Sequence, residues 1–548
     1  MTNSYLTTIF LNALEKMQVK HEYNLIFDIP RNKDHGDLYT NIAMQLAKPL
    51  KKSPQVIANE IITNLQYDKE LISEISVAGA GFINIKFTNN YYQKQLYQIY
   101  SEGSKYGYTD LNAGKKVNVE YVSANPTGLL HLGHGRNAAI GDTLANLYKW
   151  TGWEVTREYY FNNAGNQMMN LTSSIYARYM QLASDPDFPF PEDGYHGSYV
   201  ITIAEELLQK YSQELINGTE KDLEIIRKFG ENWCFDKIKK TLARMNIFQD
   251  VFYNEDSLYK DGKIEAVLKE LKEKNLSYEK EGATWLAFSK LGLEDDRVIV
   301  KSTGEPTYRL PDIAYHREKL NRGYDLVVDL FGADHIATVP DVLAGVRALG
   351  LDDSKIKVII HQFVTLMENG EQVKMSKRTG KSYTLDDLLD DVGADVVRYF
   401  LIMRGVNTHL EFDLSIAREQ SDKNPVFYLQ YAYARICSIL EKVAAEGKNI
   451  DFEKIDLTFL NEVAEINLIK QLMLFPETLQ VAAEKAEPHI VCEYLREVAA
   501  AFHVFYHDCR IIGTDDEIKY ARIFLANITK IVLKNGMSVL GVSSPEKM

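Results

Sequence analysis

Two histidines, His131 and His134, stand three residues apart in the stretch "SANPTGLLHLGHGRN" (123–137). A helix predicted to begin near His131 would carry both imidazoles on one face of its first turn. Unpaired backbone N–H groups and the positive end of the helix dipole lie at the same place. Gly133 and Gly135 would let a ligand approach the backbone closely.

This arrangement suits a phosphate group, because imidazoles can donate hydrogen bonds to charge that develops on phosphoryl oxygens. The alternative is a pair of surface histidines at the start of a helix. A metal site is less favoured, because no third ligand stands near His131 and His134 in the sequence.

A second candidate for phosphate chemistry is the basic segment "KMSKRTG" (374–380). Lys374, Lys377 and Arg378 place flexible positive charges beside a glycine, and such a cluster can hold a polyphosphate. The following "GKS" does not complete a Walker motif, because the residue five before Gly380 is Met375 and not glycine. Taken alone, the segment could equally be a solvated basic loop.

The chain that must position these residues has 548 residues, of which 45% are hydrophobic and 25% charged. This is an ordinary core-forming composition, and the length predicts about three to five domains. The net charge of −14 argues against indiscriminate binding of DNA, although local basic patches could still bind RNA. The four cysteines form no C-x-x-C pair, which predicts neither a structural zinc site nor a disulfide framework.

The sequence also predicts a cytoplasmic protein without a membrane segment. Leu6, Phe10, Ala13 and Met17 fall at helical spacing, which indicates an amphipathic helix and not a signal peptide. No apolar run approaches the ~18 residues that a membrane-spanning helix needs.

Strand-like segments mark out the domain organisation. Residues 1–97 combine helical patterns with "GFINIKF" (81–87), which predicts an α+β N-terminal domain. Residues 113–385 alternate strands with helices, and this alternation predicts a Rossmann-type parallel sheet. The predicted strands of that block lie at 117–122, 324–332 and 355–366.

The remaining blocks are predominantly helical. A charged helical stretch at about 170–280 is interpreted as an insertion into the parallel sheet. Residues 386–424 form a connecting segment, and residues 425–548 are predicted to be all-α. The predicted fold class is therefore α/β, with an α+β N-terminal domain and an all-α C-terminal domain.

The motifs, taken in order, resemble those of arginyl-tRNA synthetases of the bacterial type, a family of class I aminoacyl-tRNA synthetases. "VEYVSANPTGLLHLGHGRNAAIGDTLA", "YYFNNAGNQ", "PTYRLPDIAYH", "GADH" and "KMSKRTG" occur in the family's order. "FDIPRNKDHGDLYTNIAMQLAK" (27–48) is similar to the family's N-terminal domain, and the final "LGVSSPEKM" to its C-terminus. The resemblance covers essentially the whole chain.

The resemblance implies catalytic roles for the two histidines and for Lys374 and Lys377. The residues implied in ATP binding are Gly133, Gly332, Asp334, His335, Met375, Ser376 and Arg378. ATP would enter with Mg²⁺ as the substrate complex, and the protein itself would hold no metal.

For the amino acid, the resemblance implies a pocket formed by Glu120, Asn125, Tyr308 and Asp312. Tyr308 and Asp312 would hold the guanidinium, and they stand four apart, so that a helical turn places them on one face. Glu120 and Asn125 would hold the amino and backbone side. A planar guanidinium with five donors needs carboxylates of this kind.

For the tRNA, the resemblance implies contacts at both ends of the chain. Phe82 and Asn84 match positions that bind the tRNA elbow, which makes residues 1–97 the elbow-binding domain. Tyr431, Arg435 and Met548 match positions that meet the anticodon, which makes residues 425–548 the anticodon-binding domain. Core packing or a surface location is the alternative for each of them.

The implied activity is the ATP-dependent attachment of L-arginine to tRNA(Arg) through an arginyl-adenylate, with release of AMP and pyrophosphate. The first step usually requires bound tRNA in this family, and the expected oligomeric state is a monomer. Two alternatives remain open. One is a non-catalytic tRNA-binding relative, and the other is a different class I adenylate-forming nucleotidyl transferase.

Overall fold

The computed structural model describes residues 2–28, 30, 32, 35–373, 383–446 and 450–548, with the side chains of residues 5 onward. The basic segment 374–380 lies outside the described residues. The predictions for Lys374, Met375, Ser376, Lys377 and Arg378 therefore have no structural description here.

The chain divides into two compact units. The first comprises residues 1–106, 436–474 and 500–532, and the second comprises residues 107–435, 475–499 and 533–548. The elements at the start of the first unit are α1 (Thr2–Lys16), β1 (Leu38–Thr40), α2 (Ile42–Leu50), α3 (Pro54–Asn64), β2 (Ile72–Ala78), β3 (Phe82–Phe87) and α4 (Asn89–Glu102).

A small antiparallel sheet forms the centre of this N-terminal part. The strand order is β1-β3-β2, and β3 confirms the strand predicted at 81–87. Ile83 and Ile85 of β3 are fully buried, as are Ile42 of α2 and Ile57 of α3. β3 is the middle strand and is buried on both faces over Ile83, Asn84 and Ile85, whereas the edge strand β2 is mostly exposed or half-buried.

The second unit begins with a long alternation of strands and helices. Its elements are β4 (Lys116–Glu120), α5 (Leu132–Trp150), β5 (Glu154–Phe161), α6 (Gly165–Ala183), α7 (Ser198–Tyr211), α8 (Glu220–Arg244), β6 (Val251–Asn254), α9 (Asp256–Lys260), α10 (Lys263–Glu273), β7 (Ser277–Lys280), β8 (Ala283–Leu286), β9 (Arg297–Val300), α11 (Arg309–Asn321), β10 (Leu326–Gly332), α12 (Val339–Ala348), β11 (Ile356–His361), β12 (Val364–Glu368), β13 (Glu371–Gln372), α13 (Leu385–Val392), α14 (Ala394–Ile402), β14 (Leu410–Asp413) and α15 (Leu414–Ala417).

Five parallel strands form the central sheet, in the order β11-β10-β4-β5-β6. β4 comes first in the chain and lies in the middle, so the chain winds outward from it in both directions. This doubly wound topology confirms the predicted Rossmann-type sheet. The direction of winding reverses between β4 and β10, and ligands of such sheets bind at the carboxyl ends of the strands at that switch point.

The helix that follows β4 packs closely on the sheet. Most side chains of α5 are buried, and Gly141 faces Tyr121, the residue that follows β4. A Cβ atom at Gly141 would lie 2.3 Å from the Tyr121 ring, so only glycine allows this approach. The start of α5, and with it His131, is thereby fixed at the switch point.

The strand predicted at 355–366 is wrong in one respect, because it consists of two strands in different sheets. β11 belongs to the central sheet, and β12 pairs with β13 and β14. The guanidinium of Arg136 accounts for the break, because it is fully buried and donates a hydrogen bond of 2.7 Å to the carbonyl of Gln362, between the two strands. A carbonyl that faces Arg136 is unavailable to a strand partner.

Three helices, α6, α7 and α8, lie between β5 and β6 and form an apolar cluster around Leu171, Ile175 and Ile203. They occupy most of the stretch interpreted as a helical insertion. β6 falls within the same range and pairs with β5 in the central sheet, and β7, β8 and β9 form a separate antiparallel sheet.

The C-terminal part is helical, as predicted. Its helices are α16 (Pro425–Ala445), α17 (Val463–Met473), α18 (Phe475–Lys485), α19 (His489–Asp508) and α20 (Asp516–Leu540). By length and composition α20 could cross a membrane, but 72% of its most apolar window is buried inside the protein. Such burial is typical of a core helix.

Candidate active site

The two histidines form a reciprocal cap at the start of α5. His131 is the N-cap residue, and its Nδ1 accepts a hydrogen bond of 3.1 Å from the backbone N–H of Gly133. Nδ1 of His134 accepts a hydrogen bond of 3.3 Å from the backbone N–H of His131. The rings stack with their centroids 3.7 Å apart. The prediction that both imidazoles lie together at the helix start is therefore confirmed.

This cap determines which nitrogen can meet a ligand. Because Nδ1 accepts in both rings, a neutral imidazole carries its proton on Nε2. Burial, together with the neighbouring His131 and His361, lowers the pKa of His134 to about 3. His134 is therefore neutral at physiological pH, and its Nε2–H remains available to donate to a ligand.

The two glycines of this turn have different environments. A Cβ atom at Gly133 would lie 3.0 Å from the ring of His131 and would crowd the cap. A Cβ atom at Gly135 would lie 2.8 Å from Leu385 at the start of α13. Close packing against α13 thus explains why residue 135 is a glycine. The prediction that Gly135 lets a ligand approach the backbone is wrong, because Leu385 occupies that space.

The turn between β4 and α5 has an unusual backbone. Val122 and Ser123 have positive φ angles of 68° and 44°, and a β-branched residue is rarely found there. Asn137 holds this turn, because its Oδ1 accepts from the N–H of Val122 at 2.6 Å and its Nδ2 donates to the carbonyl of Leu330 in β10. Backbone strain of this kind concentrates at functional sites.

Three carboxylates lie side by side across the central strands. Glu120 of β4 is in register with Asp329 of β10 on one side and with Glu158 of β5 on the other. All three are buried, with at most 4% of the residue exposed. Buried carboxylates of this kind require cationic partners.

One helix supplies those partners. Lys319 of α11 donates to Glu120 and to Asp329, and Arg322 binds Glu158 with two hydrogen bonds of 2.6 and 2.8 Å. Neutral side chains and a histidine add further contacts: Tyr315 and Asn118 donate to Glu158, Ser123 donates to Glu120, and His316 pairs with Asp329.

Two further carboxylates near this network have no direct cationic partner among the described residues. Asp312, in the first turn of α11, forms no side-chain hydrogen bond there. Its pKa is raised to about 7, chiefly by burial and also by the charges of Glu120 and Glu255, while His316 and Lys319 lower it. Glu255 accepts a hydrogen bond of 2.8 Å from Tyr160, a neutral donor, and burial raises its pKa as well.

Among the described residues, Asp312 and Glu255 therefore form an acidic pair without a direct cationic partner. A cation between them would relieve their mutual repulsion and favour the ionised form of both groups. Such a pair is suited to a positively charged ligand.

Asn125 and Tyr308 differ in how firmly they are held. Oδ1 of Asn125 accepts from the N–H of Asn162 at 2.9 Å, and its Nδ2 donates to Gln167 at 2.8 Å. Tyr308 is the N-cap residue of α11, and its side chain is 85% exposed. Tyr308 thus stands one turn before Asp312, as expected from the spacing, but its ring points into solvent.

The residues predicted to contact adenosine lie at the end of β10. Gly332 ends the strand, and Asp334 and His335 form a short 3₁₀ turn after it. Both side chains are exposed, and the His335 ring stacks on Phe331 with the centroids 5.4 Å apart. These residues lie on the β10 side of the switch point, whereas Glu255 and Tyr160 lie on the β5 side.

The residues predicted to contact tRNA are presented unequally. Phe82 is half-buried against Tyr39, and Asn84 is only 6% exposed, with its amide 3.4 Å from Nδ1 of His35. In the second unit, Tyr431 is 41% exposed, and Arg435 lies over its ring at 5.6 Å. The terminal Met548 is 56% exposed.

Sequence reasoning missed Glu255, Lys319 and Asp329. Glu255 stands at the end of a strand of only four residues, and Lys319 and Asp329 meet Glu120 only through the sheet register. The spacing of Asp312 and Lys319, seven residues apart on one helical face, was the available signal.

Comparisons with known proteins agree with this geometry. Residues 4–87 match a family described as the arginyl tRNA synthetase N terminal domain. Residues 95–400 match the class I (R) tRNA synthetase catalytic domain, and residues 429–548 match the DALR anticodon binding domain.

Curated relatives match over nearly the whole chain. An arginine–tRNA ligase of Salinibacter ruber is 47% identical over 562 residues, which cover 99% of this chain and 100% of the relative. An arginine–tRNA ligase of Bacillus subtilis is 44% identical, with 96% of this chain and 94% of the relative covered.

Solved structures agree as well. A crystal structure described as an arginyl-tRNA synthetase of Campylobacter jejuni has a TM-score of 0.78 at 33% identity, with 84% of this chain and 99% of that chain covered. The arginyl-tRNA synthetase of Thermus thermophilus shares the fold over the full length of both chains, with a TM-score of 0.79 at 21% identity. The chain therefore belongs to the arginyl-tRNA synthetase family of class I aminoacyl-tRNA synthetases.

Proposed function

We propose that this protein attaches L-arginine to tRNA(Arg) at the expense of ATP, through an arginyl-adenylate. The observation that carries the proposal is the pairing of two sites at one switch point. The capped imidazoles of His131 and His134 lie at the start of α5, and the charges of Asp312 and Glu255 act on one another beside Glu120, which accepts from Ser123 of the turn before α5. The first site suits a phosphate group and the second suits a cation. The reaction of the arginyl-tRNA synthetase family uses ATP and arginine, which carry these two groups.

In the first step, a carboxylate oxygen of arginine attacks the α-phosphorus of ATP. The bond to the bridging oxygen of the β-phosphate breaks, and pyrophosphate leaves with that electron pair. Negative charge grows on the α-phosphoryl oxygens, where Nε2–H of His131 and His134 can donate. Loss of one such donor typically lowers the rate by roughly 10²–10³-fold. Lys374 and Lys377 are proposed to accompany the departing pyrophosphate.

The nucleotide is proposed to lie on the β10 side, against Gly133, Gly332, Asp334 and His335, with Met375, Ser376 and Arg378 contributing from the basic segment. Mg²⁺ would arrive with ATP as part of the substrate complex. Its charge would offset that of the phosphates, which the neutral His134 does not.

Arginine recognition is proposed to depend on charge and shape together. Asp312 would face the guanidinium, with Tyr308 turning inward from its exposed position when substrate binds. Glu120 and Asn125 would hold the amino and backbone side. Lysine could place one ammonium here but would leave acceptors unpaired, and a site of this kind can reject an analogue by roughly 10⁴-fold.

In the second step, a ribose hydroxyl at the 3′ end of tRNA attacks the arginyl carbonyl, and AMP leaves. We propose elbow binding by residues 1–97, a catalytic domain at 113–385, a connecting segment at 386–424 and anticodon binding by residues 425–548. The anticodon-binding match at 429–548 supports the last of these assignments. Among the tRNA contacts, Tyr431, Arg435, Phe82 and Met548 present accessible surface, whereas Asn84 is largely covered. We further propose a cytoplasmic monomer that binds neither DNA nor a membrane.

The test is aminoacylation of total tRNA with each of the twenty amino acids. Charging with arginine alone is expected, and the variant His134→Asn should lower its kcat by roughly 10²-fold or more. Charging with another amino acid would refute the assigned pocket. Binding of tRNA without any charging would favour the non-catalytic relative, and adenylate formation that never reaches tRNA would favour a different nucleotidyl transferase.

A further inference from the structure

Lys319 is a fully buried lysine beneath the proposed arginine pocket. None of its surface is exposed, and its ammonium donates to Glu120 and to Asp329 on neighbouring strands. The same ammonium lies 4.4 Å from the centre of the Tyr315 ring. Burying a lysine costs free energy, which close pairing with two carboxylates offsets.

The contacts of Lys319 join two parts of the proposed substrate site. It lies seven residues after Asp312, on the same face of α11. Its partner Glu120 also accepts a hydrogen bond of 2.8 Å from Ser123, in the strained turn before α5. Lys319 thus links the helix of Asp312 to the turn that leads to the histidines.

The carboxylates around Lys319 differ in whether they pair with it directly, although its charge also lowers the pKa of Asp312. Glu120 and Asp329 face each other across β4 and β10. The ammonium of Lys319 lies between them and donates to both. Asp312 and Glu255 have no cation within salt-bridge distance among the described residues. The two kinds of carboxylate therefore differ in their partners.

We propose that Lys319 is a positioning residue for arginine binding, which holds the Glu120 carboxylate in place and leaves Asp312 and Glu255 to attract the cationic substrate. The inference rests on the proposed function, because it takes arginine as the ligand. A purely structural Lys319 would stabilise the fold without affecting arginine recognition in particular.

The test compares two variants that both carry the substitution Asp329→Asn. Asp329→Asn removes one carboxylate and leaves Lys319 paired with Glu120. The double variant Lys319→Met, Asp329→Asn has the same net charge as the wild type but leaves Glu120 without its ammonium. Aminoacylation kinetics are measured for wild type and both variants at saturating tRNA, with the concentration of active sites determined by titration.

The arginine KM of the double variant should exceed that of Asp329→Asn by about 10- to 100-fold, the effect of one hydrogen bond to a charged group. The KM for ATP should change less than about twofold, because the histidines are untouched. A loss confined to kcat or to the fraction of active enzyme would contradict the inference, as would an arginine KM within about threefold of the Asp329→Asn value.

Wild-type charging with arginine is measured first, so that failure of the proposed function is distinguished from failure of this inference. Should the double variant not fold, the pair Lys319→Gln, Asp329→Asn replaces it, because the glutamine amide retains a hydrogen-bond donor. A neutral amide donates a weaker hydrogen bond than an ammonium, so here an arginine KM raised by about threefold to tenfold supports the inference, and one equal to the Asp329→Asn value overturns it.

Discussion

Two sets of buried carboxylates lie near the carboxyl ends of the central strands, and they differ in what they are paired with. Glu120, Glu158 and Asp329 are each paired with a cation from α11. Asp312 and Glu255 have neutral donors or none among the described residues. The comparison indicates that ion pairs of the first set join the sheet to α11 and hold Glu120 in place, whereas the second set retains charge for a ligand.

Removing a cation tests whether the paired carboxylates of the first set stabilise the fold. Arg322→Met leaves the fully buried Glu158 without its bidentate partner. We expect the free energy of unfolding of this part of the chain to fall by about 3 kcal/mol, measured by urea unfolding. The arginine KM of the folded fraction should change by less than roughly threefold, because Arg322 forms no direct ion pair with Asp312 or Glu255 among the described residues.

The control for this variant is Arg297→Met. Arg297 pairs with Asp295 at 3.2 Å on the surface, so its loss should cost no more than about 1 kcal/mol. Equal destabilisation by the two variants would show that the buried network contributes no more than a surface ion pair.

The variant Asp312→Asn tests whether the second set of carboxylates binds the substrate. The substitution keeps the size of the side chain and removes a charge that has no direct cationic partner among the described residues. We expect the arginine KM to rise by roughly 100-fold, because a guanidinium loses a charged acceptor, while the ATP KM stays nearly constant. Unfolding stability should not fall, since no ion pair is lost. An unchanged arginine KM would exclude Asp312 from the pocket.

The pH dependence of binding sharpens the same comparison. Asp312 has its pKa raised to about 7, so it is mostly protonated at pH 6 and mostly ionised at pH 8. Protonated Asp312 does not attract a cation, and the arginine KM should therefore be about tenfold higher at pH 6 than at pH 8. His134, with its pKa near 3, stays neutral over this range.

Raising the pKa of a carboxyl group also has a predictable effect on folding. In the ligand-free protein, the folded state binds the Asp312 proton more tightly than the unfolded state. This group's contribution to stability therefore decreases as pH rises from the ordinary carboxyl range to about 7. Asp312→Asn should abolish both the KM step and this slope, and a step that persists in the variant would assign the titration to another group.

The smallest expected effect lies at the turn before α5, where Ser123 contacts Glu120 of the first set. Ser123 donates to Glu120 at 2.8 Å, and Ser123→Ala removes that bond without removing any charge. Lys319 still holds the carboxylate, so we expect the arginine KM to rise only by about threefold to tenfold. Ser73→Ala, at an exposed serine of β2 that donates to the carbonyl of Lys86, is the control and should leave the arginine KM unchanged. A change of the same size in both variants would deny Ser123 a specific part in holding Glu120.

Local patterns in the sequence predicted much of the fold. The strands at 117–122 and 324–332 were recognisable from β-branched and aromatic runs, and both belong to the central parallel sheet. The helix starting at His131 followed from glycine and histidine placement. These signals are local, because propensity and capping act within a few residues.

The partners of the carboxylates were beyond such reasoning. Glu120 meets Asp329 through strand pairing across 209 positions of the chain, and no periodicity encodes that register. The tautomers of His131 and His134 depend on backbone hydrogen bonds that exist only in the folded turn. The break between β11 and β12 depends on Arg136 of α5, which donates to the carbonyl of Gln362 just after β11.

The most direct test of the central claim is selectivity between arginine and citrulline, which has nearly the same shape and no charge on its terminal group. Tritium-labelled amino acids are compared in aminoacylation by the wild type and by Asp312→Asn, with tRNA present throughout. If the uncompensated carboxylate selects the charge, the wild type should prefer arginine by roughly 10³-fold or more, and Asp312→Asn should lose most of that preference. Equal preference in both proteins would contradict the account, because charge would then be recognised elsewhere.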